Sequence, residues 1–240
     1  MTVVDALEAE TGTLCVVGAG GKKTTLYALA SRLERAIVTA TVRIPIFDPH
    51  VANVSVTDDA IGDLEAGEEY PLGLVAERER EDRYRGYDLE AVDAIAEAHD
   101  GPVLVKADGA RTREFKAPGD HEPQIPESAD VVVPVVSVHA VGKPLTDEYV
   151  HRPERVAAIT DLTVGETITP EAIGTVLSSV DGGLKGVPES ATVIPLLNKV
   201  DDGDDEAVGR EIAAVVHDRA DVSHVVLARM ADTAVVDVVA

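Results

Sequence analysis

The sequence predicts an α/β domain of the P-loop-like, three-layer kind, with a mainly parallel sheet and an irregular insertion. Three observations carry this. Short runs of Val, Ala, Leu and Ile alternate with stretches of helical periodicity along the 240 residues, the pattern that βαβ units impose. The first apolar run enters a glycine-rich turn that opens a helix. No segment is long or polar enough to read as a linker, so residues 1–240 are expected to form one domain.

Thr13–Val17 is the first strand, and it leads into Gly18-Ala19-Gly20-Gly21-Lys22-Lys23-Thr24-Thr25. Leu26, Leu29, Ala30 and Leu33 follow at helical spacing. Ala36–Thr41 is a second strand. Between 45 and 86 Pro, Gly and charge clusters break the periodicity, which predicts an irregular or small-stranded insertion. Leu89–His99 is helical and Val103–Ala107 is a buried strand. Residues 109–128 form a polar loop with three prolines. Val131–Val136 is a strand in which Pro134 predicts a bulge or an end. Helices at Pro153–Leu162 and Pro170–Val180 each start on a proline. Val193–Leu197 is a strand, Asp204–Asp218 a helix, and Val222–Leu227 and Ala234–Val238 closing strands.

A glycine turn between a strand and a helix aims backbone N–H groups at an anion, and the helix terminus adds positive potential. The dinucleotide fingerprint would need Gly at position 23, where Lys stands, and an acid near the end of the second strand, where Thr39–Arg43 has none. The phosphate-loop pattern is closer, because Lys23-Thr24 supplies the lysine and hydroxyl in order. Gly18, Ala19, Gly20, Gly21, Lys22, Lys23, Thr24 and Thr25 are therefore candidate nucleotide-binding residues. Lys23 is the candidate catalytic lysine, and Thr24 is a candidate Mg²⁺ ligand. Asp108 ends the strand Val103–Ala107, as the metal-side carboxylate of phosphoryl-transfer sites does, and is the other candidate catalytic and metal residue.

Late in the chain, Asn198-Lys199-Val200-Asp201 follows a strand. A carboxylate at Asp201 can accept from guanine N1–H and the 2-amino group together, donors that adenine lacks at that edge. Asn198, Lys199 and Asp201 are therefore candidate base-binding residues, with GTP placed ahead of ATP. The loop after Asp108 carries Arg111, Lys116, His121 and Glu122, a candidate substrate loop for an anionic ligand. His151 and Arg152 either cap a helix or enter the same site.

Lys and Arg number 21 against 44 Asp and Glu, a formal charge of −23. A field of that sign repels nucleic-acid phosphate and anionic membranes, so neither is an expected partner. With only seven lysines, the acidic excess resembles that of proteins from salt-loving organisms, where a Debye length of ~3 Å screens self-repulsion. A lone cysteine, Cys15, excludes internal disulfides. With no signal-type segment and no apolar run of spanning length, the protein is expected to be cytoplasmic.

Gly-Ala-Gly-Gly-Lys with Thr-Thr stands in the glycine turn, followed by Ala107-Asp108-Gly109-Ala110 with Lys116-Ala117-Pro118 and His121-Glu122-Pro123; Gly142-Lys143-Pro144-Leu145 with His151-Arg152-Pro153; and Leu197-Asn198-Lys199-Val200-Asp201. Together these stretches resemble the YqeC-like family of selenium cofactor biosynthesis proteins. Two departures stand out: a second lysine follows Lys22, and Lys106 occupies a position where the family commonly has Glu. The resemblance implies an accessory role in maturing selenium-dependent molybdenum hydroxylases, with the hydroxylase or its cofactor-assembly proteins as partners. With the motifs, it leads to the expectation of a Mg²⁺-dependent nucleotide-binding protein that hydrolyses GTP. The alternatives are a nucleotide-dependent transferase or kinase acting on a small anionic acceptor, and a carrier or chaperone without turnover.

Overall fold

The computed structural model describes residues 1–65 and 69–240. Among them a ten-stranded sheet forms the spine. Its main path comprises, in chain order, β1 (Thr13–Gly18), β2 (Ile37–Ala40), β3 (Asn53–Val56), β4 (Leu72–Val75), β5 (Val103–Lys106), β6 (Ala129–Ser137), β7 (Leu196–Asn198), β8 (Val225–Arg229) and β9 (Ala234–Val239). Across the sheet the order is β9-β8-β7-β6-β1-β5-β2-β4-β3, and a short strand at Thr192–Val193 lies beside β6. Every pair is parallel except β8 with β9. The helices are α1 (Val3–Ala6), α2 (Lys22–Ala30), α3 (Ala60–Glu65), α4 (Leu89–Ala98), α5 (Pro153–Ile159), α6 (Pro170–Leu177) and α7 (Gly203–Arg219).

The strands are apolar throughout because both faces of the sheet are covered. Alternation along β1 separates the layers: Leu14 and Val16 pack with Leu26 and Leu29 of α2, while Cys15 and Val17 pack with Val92 and Ile95 of α4. Farther along, Leu197 and Leu227 meet Ile173 of α6 and Ile212 of α7 on the α4 side. Each buried Val, Leu or Ile contributes ~1.5–3 kcal/mol, so an aliphatic core holds three layers together without a tryptophan.

Chain connections leave β1 through α2 on one face and β6 through α5 and α6 on the other. The crevice between the carboxyl ends of β1 and β6 is thus a switch point, where α/β sheets bind ligands. Gly18, Asp108, Ser137 and Asn198 all lie at or just beyond strand ends on that edge.

The 45–86 stretch, of which 66–68 lie outside the described residues, does two things. Ile44–Pro45, Glu77–Arg80 and Arg83–Arg85 form a small three-stranded sheet, and β3 and β4 extend the main sheet in parallel. Pro134, expected to mark a bulge or an end, lies within β6. Thr192–Val193 pairs with residues 131–132 and Leu196 resumes the ladder at Val135, so Pro134 falls opposite a gap in its neighbour. The helix expected over 153–162 closes at Ile159, where Thr160 turns extended and its hydroxyl donates to the Val156 carbonyl.

Candidate functional site

The turn from β1 to α2 is built on glycines with positive φ: 89° at Gly18, 81° at Gly20 and 149° at Gly21. A Cβ at Gly20 would lie 2.7 Å from the Glu114 carbonyl, and one at Gly21 would strike the Asn198 amide. The turn is therefore clamped on both sides. Its first amides serve the fold: Gly18 N donates to Asp108 Oδ2 at 2.9 Å, Ala19 N to the Val135 carbonyl at 2.8 Å and Gly20 N to the Arg113 carbonyl at 2.9 Å. The next four amides, of Gly21, Lys22, Lys23 and Thr24, have no acceptor among the described residues. They form the open amino end of α2, whose first turn carries no acid, and so present donors and positive potential to an anion.

Behind the turn lies an ion-pair network assembled from four segments. Lys22 is buried; its ammonium lies 2.8 Å from Asp108 Oδ1 and also donates to the Gly18 carbonyl. Lys116, also buried, donates to Asp108 Oδ2 at 2.8 Å, to the Gly109 carbonyl at 2.7 Å and to Glu122 Oε2 at 2.7 Å. Arg152 donates to the same Glu122 oxygen at 2.6 Å. Lys106, at the end of β5, donates to the Arg43 carbonyl. Burial alone would push the Asp108 carboxyl up, but the Lys22 and Lys116 charges outweigh it and hold it below the ordinary range. Burial also opposes ionisation of Glu122, yet Arg152 and Lys116 bring it down to about 2. Burial lowers Lys22, and it lowers Lys106 to about 7 with help from the Lys22 charge. Lys22, Lys116 and Arg152 set three cationic side chains against two carboxylates, Asp108 and Glu122. In a chain of net charge −23, this network holds a local positive excess.

The predicted site residues separate into groups. Lys22, at the first position of α2, faces Asp108, whereas Lys23 is half-buried and has no ion pair among the described residues. Thr24 is exposed on the helix and makes no hydrogen bond to Asp108; Thr25 is buried and its hydroxyl donates to the Gly21 carbonyl at 3.2 Å. Asp108 Oδ1 has the Lys22 charge beside it but no donor aligned as a hydrogen bond. Arg111 and His121 are exposed, while Lys116 and Glu122 belong to the network.

Asn198 is a tether: its Nδ2 donates to the Gly20 carbonyl at 2.7 Å and its Oδ1 accepts from Met230 N at 2.9 Å. Lys199, held at φ 64°, places its ammonium on both Glu114 oxygens. Asp201 is exposed, with its carboxylate 3.5 Å from His139 Nε2, and Asp205 lies 3.2 Å from the same nitrogen. Ligand atoms of His139, Asp201 and Asp205 fall within 4.8 Å of one another, so these three could hold a metal ion. Glu114, His139 and Asp205 were not marked by the sequence reading. Glu114 sits among other polar loop residues, and His139 follows an apolar strand, so neither carries a local signal.

The glycine turn, Asp108 with Lys116 and Glu122, Arg152, and Asn198, which carried most of the family resemblance, thus converge on one edge of the sheet, while Gly142–Leu145 pairs with residues 165–168. The family model described as YqeC protein matches residues 14–154. A protein of Escherichia coli (strain K12), described as an uncharacterized protein YqeC, is 31% identical over 193 residues, covering 78% of this chain and 75% of that protein. No solved structure matches the chain.

Proposed function

The chain belongs to the YqeC family, and on that premise and the geometry of its site we propose that it binds the phosphates of a nucleoside triphosphate at the β1–α2 turn and hydrolyses it with Mg²⁺. One observation carries the reading: four amides without protein acceptors open the amino end of α2 directly above a buried network in which cations exceed carboxylates. Phosphate is the ligand that such a donor set and charge excess favour.

Lys22 is the phosphate lysine in this reading. Its ammonium turns from Asp108 and the Gly18 carbonyl toward the incoming anion. Asp108, buried and still held by Lys116 and Gly18 N, then has one oxygen open to a cation. The orphaned Oδ1 fits that role, and Thr24, exposed and apart from Asp108, does not share it. A bound Mg²⁺ would neutralise charge building on the phosphates. The protein's own contribution is positioning and charge stabilisation, with no covalent intermediate.

GTP is favoured over ATP, because Asp201 lies just past β7 with its carboxylate exposed, and Asn198 ties that loop to the glycine turn. The pathway that the resemblance implies is maturation of selenium-dependent molybdenum hydroxylases. The test is calorimetric titration of GTP, ATP and XTP with Mg²⁺ in concentrated KCl, followed by assay of phosphate release. Micromolar GTP binding with release of phosphate is expected. Asp201→Asn should weaken GTP about five- to 150-fold, the equivalent of one buried donor left unpaired at ~1–3 kcal/mol, and should favour XTP. Equal loss for all three nucleotides would mean that Asp201 supports the fold alone, and no binding of any nucleotide would remove the reading altogether.

A second reading, transfer to an anionic acceptor, is favoured by Arg152. It enters the network from a separate element and has hydrogen-bonding capacity left after its one bond to Glu122.

A further inference from the structure

We infer that Arg152, His151 and Arg111 form a second oxyanion subsite beside the glycine turn, which holds a phosphate-class anion separate from the nucleotide's own phosphates. The inference rests on the proposed nucleotide site only for its purpose; its binding chemistry stands on other residues.

The parallel pairing of Val150–His151 with Phe115–Lys116 sets His151 directly beside Lys116. Arg152, held in left-handed geometry at φ 65°, turns from that strand into α5, and its guanidinium lies against Gly119. Among the described residues its guanidinium makes one hydrogen bond, to Glu122, which leaves most of its donors uncommitted there. Arg111 is exposed and has no ion pair among the described residues, although carboxylates outnumber basic groups two to one in this chain. The carboxylate that acts on His151 among the described residues is Glu122, and it is already shared by Lys116 and Arg152.

The charge distribution calls for a mobile anion. His151 is half-buried beside Arg152 and Lys116, and burial, then those two charges and the weaker field of exposed Arg111, keep its imidazole neutral down to about pH 4. Its ring has no hydrogen-bond partner among the described residues. An oxyanion here would take the planar donor fork of Arg152. It would also offset the surrounding positive charge and so raise the His151 pKa. Near pH 6 His151 therefore takes up a proton fraction on binding, because the free imidazole is neutral there and the bound one is partly charged, and any proton the phosphate's second ionisation gives up is counted against it. A bond from the resulting imidazolium to the anion completes the site.

The test is titration of the full chain with inorganic phosphate at pH 6, in two buffers of different ionisation heat so that protons are counted. A parallel titration with glycerol phosphate distinguishes a free ion from the phosphate group of a larger molecule; tighter binding of either one names the source. Phosphate should bind, taking up more protons (or releasing fewer) in wild type than in His151→Gln, since the phosphate's own ionisation contributes alike to both. Arg152→Gln should weaken it tenfold or more. Arg111→Gln, at an exposed position, covers the case in which Arg152→Gln fails to fold, and it should weaken phosphate severalfold. Lys22→Ala should leave phosphate binding in place while weakening nucleotide binding roughly ten- to a hundredfold. If phosphate binding is lost in Lys22→Ala and kept in the arginine variants, phosphate occupies the glycine turn and the second subsite is overturned. If no phosphate binds at all, it is also overturned. If phosphate binds as described but no nucleotide does, the subsite stands and the nucleotide reading fails.

Discussion

The two ends of the central sheet handle charge in opposite ways. At the amino end of the strands, Asp93, Glu97, Asp100 and Asp130 line an open cleft with Gly12 and Thr13, and no lysine or arginine is among its lining residues. There the carboxylates are satisfied by backbone amides: Asp130 accepts from Thr13 N and Asp93 from Ser128 N, both at 2.8 Å. At the carboxyl end Asp108 and Glu122 are more deeply buried, and they are held by ammonium and guanidinium groups. An acid that caps an amide in contact with water costs little to keep. A buried lysine needs its counter-ion, because an unpaired charge away from water costs several kcal/mol. The positive excess at the carboxyl end is therefore an expensive arrangement, which a site that receives an anion explains.

The strongest way to break this comparison is to neutralise one acid at each end. Asp108→Asn leaves Lys22 and Lys116 without their shared carboxylate and should lower stability by ~3–5 kcal/mol. Asp130→Asn keeps an oxygen for Thr13 N and should cost less than ~1 kcal/mol. Chemical denaturation of the two variants decides it, and equal losses would erase the distinction between the ends.

Nucleotide affinity sharpens the comparison within the glycine turn. Lys22→Ala should weaken GTP by ~1.5–3 kcal/mol, roughly ten- to a hundredfold, while Lys23→Ala should cost a few-fold. The register read from the sequence alone favours Lys23, because it precedes the hydroxyl pair. The buried pairing of Lys22 with Asp108 favours the other lysine. A competition assay with a fluorescent nucleotide separates the two.

Lys106 offers a pH signature. Its folded pKa, lowered to about 7 by burial and the Lys22 charge, lies below the ordinary lysine value of 10.5. The folded state thus binds fewer protons than the unfolded chain between those values, and stability contributed by this residue rises with pH from about 7 upward. Between pH 7 and 9 the gain is on the order of 1–2 kcal/mol. Lys106→Met should flatten that rise in denaturant midpoints across the pH range; an unchanged slope would mean that Lys106 is charged and well solvated.

The smallest effect is expected from salt, which acts on the acidic exterior and hardly reaches the buried network. Melting temperature should climb as KCl rises toward molar concentration, by a similar amount in wild type and in Arg111→Gln. A melting temperature indifferent to KCl would detach the acidic composition from any adaptation to salt.

Much of the fold was legible along the chain because its signals are local. The Val-rich strands, the glycine turn and the proline-started helices each announce themselves within a few residues. Asp108 and Asn198 could be placed at strand ends for the same reason. The sequence by itself determined an α/β chain with a glycine turn between its first strand and the helix that follows, since strand hydrophobicity and glycine backbone freedom are properties of adjacent residues. Only the tertiary structure decided which lysine faces Asp108, that Lys199 is spent on Glu114, that Pro134 sits opposite a gap in its neighbour, and that Lys116, Glu122 and Arg152 share one network. Those outcomes depend on which distant side chains share a buried space, where a charge must find its counter-ion, and no spacing along the chain encodes that.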